Sequence, residues 1–139
     1  MMVEKARNPE SARKAILVVD DDVQVAKLAA SLLERLGYLP TVLHSPFAAL
    51  ERVRKVPDEF DAIMTDHRMP GMTGLTMIRA IRAAGIEIPV LMVSGYGEEL
   101  TPENLDRVGV GPVLSKPYSR GELETRLHGL LPSAHSLKP

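Results

Sequence analysis

The segment AILVVDDD, residues 15–22, decides the fold: an apolar run ends abruptly in three aspartates. A short run that is apolar at every position and rich in Val and Ile is typical of a parallel strand buried on both faces. Apolar residues then recur at spacings of three and four, which predicts an amphipathic helix: Val25, Leu28, Ala29, Leu32, Leu33 and Leu36. Gly37 follows where a helix commonly ends. The segment therefore predicts a strand–helix unit with acidic residues between its two halves.

The same alternation continues along the chain and predicts five strand–helix pairs. The predicted strands cover residues 15–20, 39–44, 60–65, 88–93 and 113–115. The predicted helices cover residues 25–36, 47–53, 75–85, 98–108 and 123–131, the fourth of them short because of Thr101-Pro102. Right-handed crossovers between such pairs give an α/β fold with an open, doubly wound, five-stranded parallel sheet. The strand over 39–44 is the least apolar, and we expect it at an edge.

Composition is that of one globular domain. The chain has 139 residues, 45% of them hydrophobic and 25% charged, which excludes a disordered chain and a coiled-coil array. The absence of cysteine excludes a disulfide scaffold, a zinc ribbon and a thiol nucleophile. We expect a frayed N-terminus over residues 1–13, the domain over 14–131 and a tail over 132–139.

Charge and hydropathy exclude further classes of protein. Seventeen basic and 18 acidic side chains leave a formal charge of −1, so no basic surface for nucleic acid is predicted. The longest apolar runs fall far short of the ~20 residues that cross a bilayer, and the polar N-terminus lacks a signal-peptide core. These patterns favour a soluble cytoplasmic protein with no membrane partner.

Polar side chains stand where the predicted strands end, at Asp20, Asp21, Asp66, Ser94 and Lys116. Ligands of doubly wound sheets bind beyond the carboxyl ends of the strands, so these side chains are expected to converge. Crowded carboxylates raise one another's pKa unless a cation lies among them. Magnesium favours one or two carboxylates together with water and phosphate oxygens. The pattern therefore predicts a site for Mg²⁺ and a phosphoryl group.

Each of these residues has a predicted role. Asp66 is the candidate nucleophile, because a carboxylate attacks phosphorus once the charges around it are neutralised. Asp20 and Asp21 would bind the metal, while Lys116 would pair with Asp66 and later with phosphoryl oxygens. Ser94 would donate its hydroxyl to a phosphoryl oxygen. Backbone N–H groups just after Asp66 and Ser94 would bind the remaining oxygens.

These motifs resemble the receiver domain of two-component response regulators. The resemblance rests on ILVVDDD (16–22), DAIMTDHRMPGMTG (61–74), VLMVSG (90–95) and LSKP (114–117), in this order. It implies a flavodoxin-like (βα)5 fold with strand order 2-1-3-4-5. It also implies a phosphoacceptor signalling domain, not an enzyme with a separate substrate, which takes a phosphoryl group from a histidine kinase onto Asp66 and slowly hydrolyses it. The implied magnesium ligands are Asp20, Asp21, Asp66 and the backbone carbonyl of Arg68, and the Lys116-Pro117 peptide would be cis.

The chain departs from the family pattern near the predicted switch. Val113 replaces the usual Tyr or Phe three residues before the lysine, which puts the family's coupling of hydroxyl to aromatic in doubt. Arg68 and Tyr96 occupy the positions that flank the path of attacking water, so we expect both to tune the lifetime of the phosphoryl group. Gly95, between Ser94 and Tyr96, belongs to the same switching segment.

Two other functions remain open. A receiver-like interaction module without phosphotransfer is one, with Val113 as its support. The other is a phosphatase of the haloacid dehalogenase type, for which Asp20 and Asp22 would form a D-x-D motif with Asp20 as the nucleophile. We expect Asp22 instead to cap the first helix. His44 and His67 are interpreted as carrying no metal or phosphoryl group.

The expected partners follow from the resemblance. A histidine kinase or a phosphotransfer protein would supply the phosphoryl group. Fewer than ten residues follow the predicted domain, so we expect no binding to nucleic acid by this chain. The signal would leave through the face formed by the helix after strand four, strand five and the last helix, by homodimerisation or by partner docking.

Overall fold

The computed structural model describes residues 13–95 and 100–131. Strands and helices alternate along them. The strands are β1 (Ala15–Val19), β2 (Leu39–Leu43), β3 (Ala62–Asp66), β4 (Val90–Ser94) and β5 (Leu114–Ser115). The helices are α1 (Val23–Arg35), α2 (Pro46–Lys55), α3 (Gly74–Ala83), α4 (Pro102–Arg107) and α5 (Arg120–Leu130). The five predicted strand–helix pairs are confirmed.

All five strands lie in one parallel sheet in the order β2-β1-β3-β4-β5. This confirms the predicted doubly wound fold, and it places β2 at an edge as predicted. The register aligns the strand ends: Val19 pairs with Leu43 and Thr65, and Asp66 pairs with Val93. Consequently the residues that follow β1 and β2 lie next to one another at the carboxyl edge of the sheet.

Both faces of the sheet are covered, because neighbouring residues of each strand point to opposite sides. On one side Leu17, Val19 and Ile63 pack against buried residues of α2, α3 and α4. On the other side Ile16 and Val18 pack against α1 and α5. The central strands are therefore buried on both faces, which explains their continuous apolar sequence.

Several strand boundaries differ from the predicted ones by one or two residues. β3 begins at Ala62, two residues later than expected, because Phe60 packs into the core without joining the ladder. β3 and β4 also extend one residue further, to Asp66 and Ser94. Both polar side chains therefore belong to strands, which fixes their backbone more firmly than a loop would.

The helix ends follow their capping residues. Asp22 caps α1 by accepting hydrogen bonds from the N–H groups of Gln24 and Val25, which confirms its predicted role. Gly37 has φ +95° after the C-cap of α1, a conformation that L side chains rarely adopt. Helix α4 is limited to residues 102–107 by its N-cap Thr101 and its C-cap Val108. The prediction of a short helix there is confirmed.

Some predictions concern residues outside the described ranges. The expected frayed N-terminus, apart from Arg13, and the expected tail over 132–139 are among them, as is Tyr96. Within 13–95 and 100–131, no helix combines the length and the apolar character needed to cross a membrane.

Candidate functional site

Three carboxylates meet at the carboxyl edge of the sheet, as the sequence predicts. Asp20 follows β1, Asp21 comes next, and Asp66 ends β3. One carboxylate oxygen from each of the three lies within 4.8 Å of the others. Asp20 and Asp66 are buried, whereas Asp21 is exposed. The cluster is thus open on one side.

Lys116 supplies the positive charge of this cluster. Its ammonium nitrogen lies 3.0 Å from Oδ1 of Asp66 and 3.9 Å from Oδ2 of Asp20. The ammonium reaches both carboxylates because β5, which ends one residue earlier, lies beside β4. The peptide between Lys116 and Pro117 is cis, as the family resemblance implied.

The Asp66 carboxylate is buried and is compensated by an ion pair in place of a hydrogen bond. The residue is 8% exposed, and within the described structure its Oδ1 makes no hydrogen bond although it is buried. The ion pair with Lys116 therefore provides the compensation that a hydrogen bond would usually provide for a buried oxygen. A carboxylate oxygen in this state is suited to react with, or to ligate, an incoming group.

The start of α3 packs directly against the backbone of Asp66. The Gly74 N–H donates to the carbonyl of His67 at 2.7 Å. A Cβ at Gly74 would lie 2.4 Å from the Asp66 carbonyl oxygen and 3.0 Å from Sδ of Met92. Glycine is required here because a larger residue would push α3 away from the acceptor strand.

Burial raises the pKa of the Asp20 carboxyl, and the negative charges of Asp66 and Asp21 raise it further. A hydrogen bond from the Asp22 N–H to Asp20 Oδ1, at 2.9 Å, and the charge of Lys116 oppose this effect. Burial and the neighbouring carboxylates therefore disfavour the ionised form of Asp20, and a bound cation would favour it.

Ser94 ends β4 and is 5% exposed. Its hydroxyl donates to the carbonyl of Gly95 at 3.0 Å, so its proton is engaged with its own segment. Val113, at the position of the missing aromatic, is half-buried and packs against the core on the α2–α3 side. Arg126 of α5 donates to the carbonyl of Val113 at 3.3 Å.

The loop after β3 begins with two residues singled out in the sequence, His67 and Arg68, and Arg68 is exposed. The His67 N–H donates to the carbonyl of Val93 in the sheet at 3.1 Å. That N–H continues the β3–β4 ladder because β3 runs one residue further than predicted. Binding of phosphoryl oxygens by backbone N–H groups just after Asp66 stays a prediction, and it concerns the N–H groups that follow His67.

Sequence reasoning assigned no role to His44, yet its Nδ1 lies 3.0 Å from the backbone oxygen of Asp20. The contact follows from the strand order, since β2 is the neighbour of β1 and His44 follows β2 directly. The signal in the sequence that could have identified His44 is its place directly after an edge strand, where a polar side chain lies near the end of the neighbouring strand.

An apolar groove of about 530 Å³ lies beside the cluster. It is lined by residues of α1 and of the segment after β4 and β5: Val25, Leu28, Leu32, Gly95, Lys116, Pro117 and Tyr118. Burial, and next the negative charge of Asp20, raise the pKa of the Tyr118 phenol. Lys116 belongs to both the groove and the cluster, so a protein bound in the groove would lie against the acidic site.

The donor set fits a small, hard dication. The three carboxylates supply oxygen ligands, the preferred donors of Mg²⁺. Oδ1 of Asp66 is buried without a hydrogen bond among the described residues, and burial followed by the neighbouring carboxylates raises the pKa of Asp20, so a cation bound here would offset both costs. Asp22 does not join the cluster but caps α1, which removes the second acid of the D-x-D motif.

Comparison with known proteins agrees with this geometry. A family model for the response regulator receiver domain matches residues 16–128. The chain is 34% identical over 122 residues to the transcriptional regulatory protein ZraR of Escherichia coli K12, covering 88% of this chain and 27% of ZraR. It is 32% identical over 129 residues to the sensor kinase CckA of Brucella abortus, covering 93% of this chain and 14% of CckA.

Among solved structures, the receiver domain of the sensor histidine kinase PA1611 from Pseudomonas aeruginosa PAO1 superposes with a TM-score of 0.75. The two are 28% identical over 88% of this chain and 100% of that chain, and a magnesium ion is coordinated in the active site cleft of that domain. The strand order, the acidic cluster with its lysine and the family match lead to one conclusion. The chain belongs to the response regulator receiver domains of two-component systems.

Proposed function

We propose that Asp66 accepts a phosphoryl group from a phosphohistidine. An Asp66 carboxylate oxygen attacks phosphorus, the phosphorus–nitrogen bond breaks, and the leaving imidazole nitrogen takes up a proton. Water later attacks the acyl phosphate and regenerates the carboxylate with release of inorganic phosphate. The observation that carries this proposal is the buried Oδ1 of Asp66, which has no hydrogen bond among the described residues and lies 3.0 Å from the Lys116 ammonium.

Lys116 and Ser94 are proposed to respond to the new group. The Lys116 ammonium holds the Asp66 carboxylate before transfer and can follow the charge outward onto a phosphoryl oxygen. The Ser94 hydroxyl is engaged with the Gly95 carbonyl and would exchange that acceptor for a phosphoryl oxygen. Both changes couple the chemistry at Asp66 to the ends of β4 and β5.

We infer that Asp20, Asp21 and Asp66 hold Mg²⁺, with the Arg68 carbonyl as a further ligand. When bound, the dication would offset the negative charge shared by the carboxylates and the phosphoryl oxygens. The three carboxylates position their oxygens within 4.8 Å, and the exposed side of Asp21 leaves access from solvent. Arg68 and Tyr96 remain our predicted tuning positions for hydrolysis.

A histidine kinase or a phosphotransfer protein is the proposed donor, and it would dock on the apolar groove beside the cluster. Leu28 is 67% exposed and lines the groove together with Val25 and Leu32, and such a contiguous apolar surface is typical of a protein-binding site. The domain acts as a phosphoacceptor and not as an enzyme with a separate substrate. Its output would pass through α4, β5 and α5, by homodimerisation or by docking of a further partner.

Intact mass after incubation with acetyl phosphate and Mg²⁺ tests the proposal. We expect the wild type to gain one phosphoryl group, Asp66→Asn to gain none, and EDTA to prevent the gain. Asp22→Asn is the matched control, since Asn also caps helices and Asp22 lies outside the cluster; it should be labelled like the wild type. Labelling of Asp66→Asn would move the acceptor elsewhere, and no labelling of any variant would favour an interaction module without phosphotransfer.

A further inference from the structure

We propose that His44 is a positioning residue that orients the peptide joining Asp20 to Asp21, and through it the two carboxylates. The proposal rests on the magnesium site proposed above. The contact of His44 is with the backbone oxygen of Asp20 and not with a carboxylate oxygen, so His44 acts through Asp20.

The end of β2 holds Asp20 by both of its backbone groups. The Asp20 N–H donates to the carbonyl of Leu43 at 3.2 Å, and the Asp20 carbonyl accepts from Nδ1 of His44 at 3.0 Å. The second bond lies on the peptide between the two acids. Rotation of that peptide would move the backbone of Asp21 and change the distance between the two carboxylates.

His44 is suited to this role because its backbone is fixed on both sides. Leu43 before it belongs to the β1–β2 ladder, and Ser45 after it caps α2 by accepting from the Ala48 N–H at 3.2 Å. Pro46 then begins the helix. The imidazole therefore extends from a fixed backbone, and its exposed side chain keeps only its own rotations as freedom.

The chemistry of the contact fixes the donor. A carbonyl oxygen only accepts, so Nδ1 of His44 carries the hydrogen. The side-chain amide of asparagine places an N–H at about the same distance from its backbone, whereas alanine supplies no donor. His44→Asn and His44→Ala therefore separate the hydrogen bond from the mere presence of a side chain.

The test is a MgCl₂ titration of wild type, His44→Ala and His44→Asn, followed through the amide cross-peaks in ¹H–¹⁵N NMR spectra. We expect His44→Ala to raise the Mg²⁺ dissociation constant about three- to tenfold, the range of one hydrogen bond. His44→Asn should restore it to within about twofold of the wild type. In the metal-free spectra, the Asp21 amide peak, which reports the peptide in question, should move in His44→Ala and return in His44→Asn.

Thr101→Ala is the matched control, because it removes the N-cap of a helix that does not adjoin His44. It should lower the metal-free melting temperature through loss of the α4 cap and leave the dissociation constant unchanged. An unchanged dissociation constant in His44→Ala, or equal weakening in His44→Asn, would overturn the positioning role. If the wild type binds no Mg²⁺, the proposed metal site fails, and an unmoved Asp21 peak in metal-free His44→Ala overturns the positioning role independently.

Discussion

At the scale of single residues, the acidic site opposes folding. The Asp20 side chain is buried near two other carboxylates, and its pKa is raised by that burial more than by any other cause. The folded protein therefore holds a proton on Asp20 more tightly than the unfolded chain does. At a pH above the raised pKa, the ionised carboxylate lowers the free energy of unfolding.

Asp20→Asn should consequently stabilise the metal-free domain near neutral pH, because it removes the buried charge and retains the shape. We expect the melting temperature to rise by roughly 2–4 °C, the change that about 1 kcal/mol produces in a domain of this size. The gain should shrink as the pH falls through the raised pKa toward the usual value of 3.8, where the wild-type carboxyl becomes protonated. Thermal melts in EDTA across this pH range would measure it.

Asp21→Asn provides the comparison. Its carboxylate belongs to the same cluster but is exposed, so its replacement should raise the melting temperature less. Equal gains from both variants would show that charge repulsion, and not the burial of Asp20, limits stability. A loss of stability in Asp20→Asn would mean that the bond from the Asp22 N–H to Oδ1 outweighs desolvation.

At the scale of elements, two glycines in helices have opposite roles. Gly74 begins α3 against the Asp66 carbonyl, whereas a Cβ at Gly129 in α5 would meet no atom within 4 Å. Gly74→Ala should lower the free energy of unfolding by about 1–3 kcal/mol through overpacking. Gly129→Ala should raise it by up to about 1 kcal/mol, because alanine favours the helix.

Urea denaturation of the two variants checks this contrast. Gly74→Ala should also slow labelling by acetyl phosphate, since the displaced contact lies on the acceptor residue. Gly129→Ala should be labelled at the wild-type rate. Stability close to that of the wild type in Gly74→Ala would show that α3 can move away from β3 without cost.

The helices and strands also show which features of the structure can be predicted from the sequence. The doubly buried strands, the short α4 and the cap at Asp22 follow from apolar period and turn chemistry, so they could be predicted. The convergence of Asp20, Asp66 and Lys116 followed from the rule that parallel strands end at one edge. By contrast, the bond of Arg82 to the carbonyl of Val108, at 2.7 Å, joins distant segments and leaves no local pattern.

The close approach of Gly74 and the contact of His44 were missed for a related reason. Each depends on which backbone atoms come together across the sheet, and local periodicity does not encode that distance. The predicted strand ends one residue before Asp66, where β3 ends, because a charged side chain after an apolar run is typical of a strand end. In the fold, its backbone continues the ladder while its carboxylate enters the site.

At the scale of the whole molecule, metal binding should stabilise the fold. A ligand that binds only the folded state adds RT ln(1 + [L]/Kd), which is about 1.4 kcal/mol at ten times Kd. We expect the melting temperature of the wild type to rise steadily with MgCl₂, by roughly 3–5 °C at that concentration. NaCl of equal ionic strength should not reproduce the rise.

Asp20→Asn is the control for this linkage as well. Its melting temperature should be higher than that of the wild type in EDTA and should change little with MgCl₂. The difference between the two proteins should therefore shrink as the MgCl₂ concentration rises. An equal response in the variant would place the ion away from the cluster of Asp20, Asp21 and Asp66. The measurement therefore connects the unfavourable charge at one residue to the stability of the complete domain.

Docking of the phosphoryl donor also belongs to this scale, because it involves α1 and the ends of β4 and β5 together. Leu28→Glu places a charge in the apolar groove. With a histidine kinase that labels the wild type, the variant should be labelled about tenfold more slowly or slower still, as expected for a central interface residue. Acetyl phosphate needs no groove, so its labelling rate should stay within about twofold.

Val56→Glu is the matched substitution at the opposite edge of the sheet. Val56 is 50% exposed, compared with 67% for Leu28, but it follows the C-terminus of α2, away from the carboxyl ends of the strands. Its rate with the kinase should equal that of the wild type. Slowing of both reactions in Leu28→Glu would place its effect on the chemistry of Asp66, and equal slowing by both variants would assign no specific role to the groove. If Leu28→Glu slows transfer from the kinase but not labelling by acetyl phosphate, the groove serves recognition of the donor and not the chemistry at Asp66. Both donors use the same acceptor, so a difference between their rates comes from the apolar contact alone.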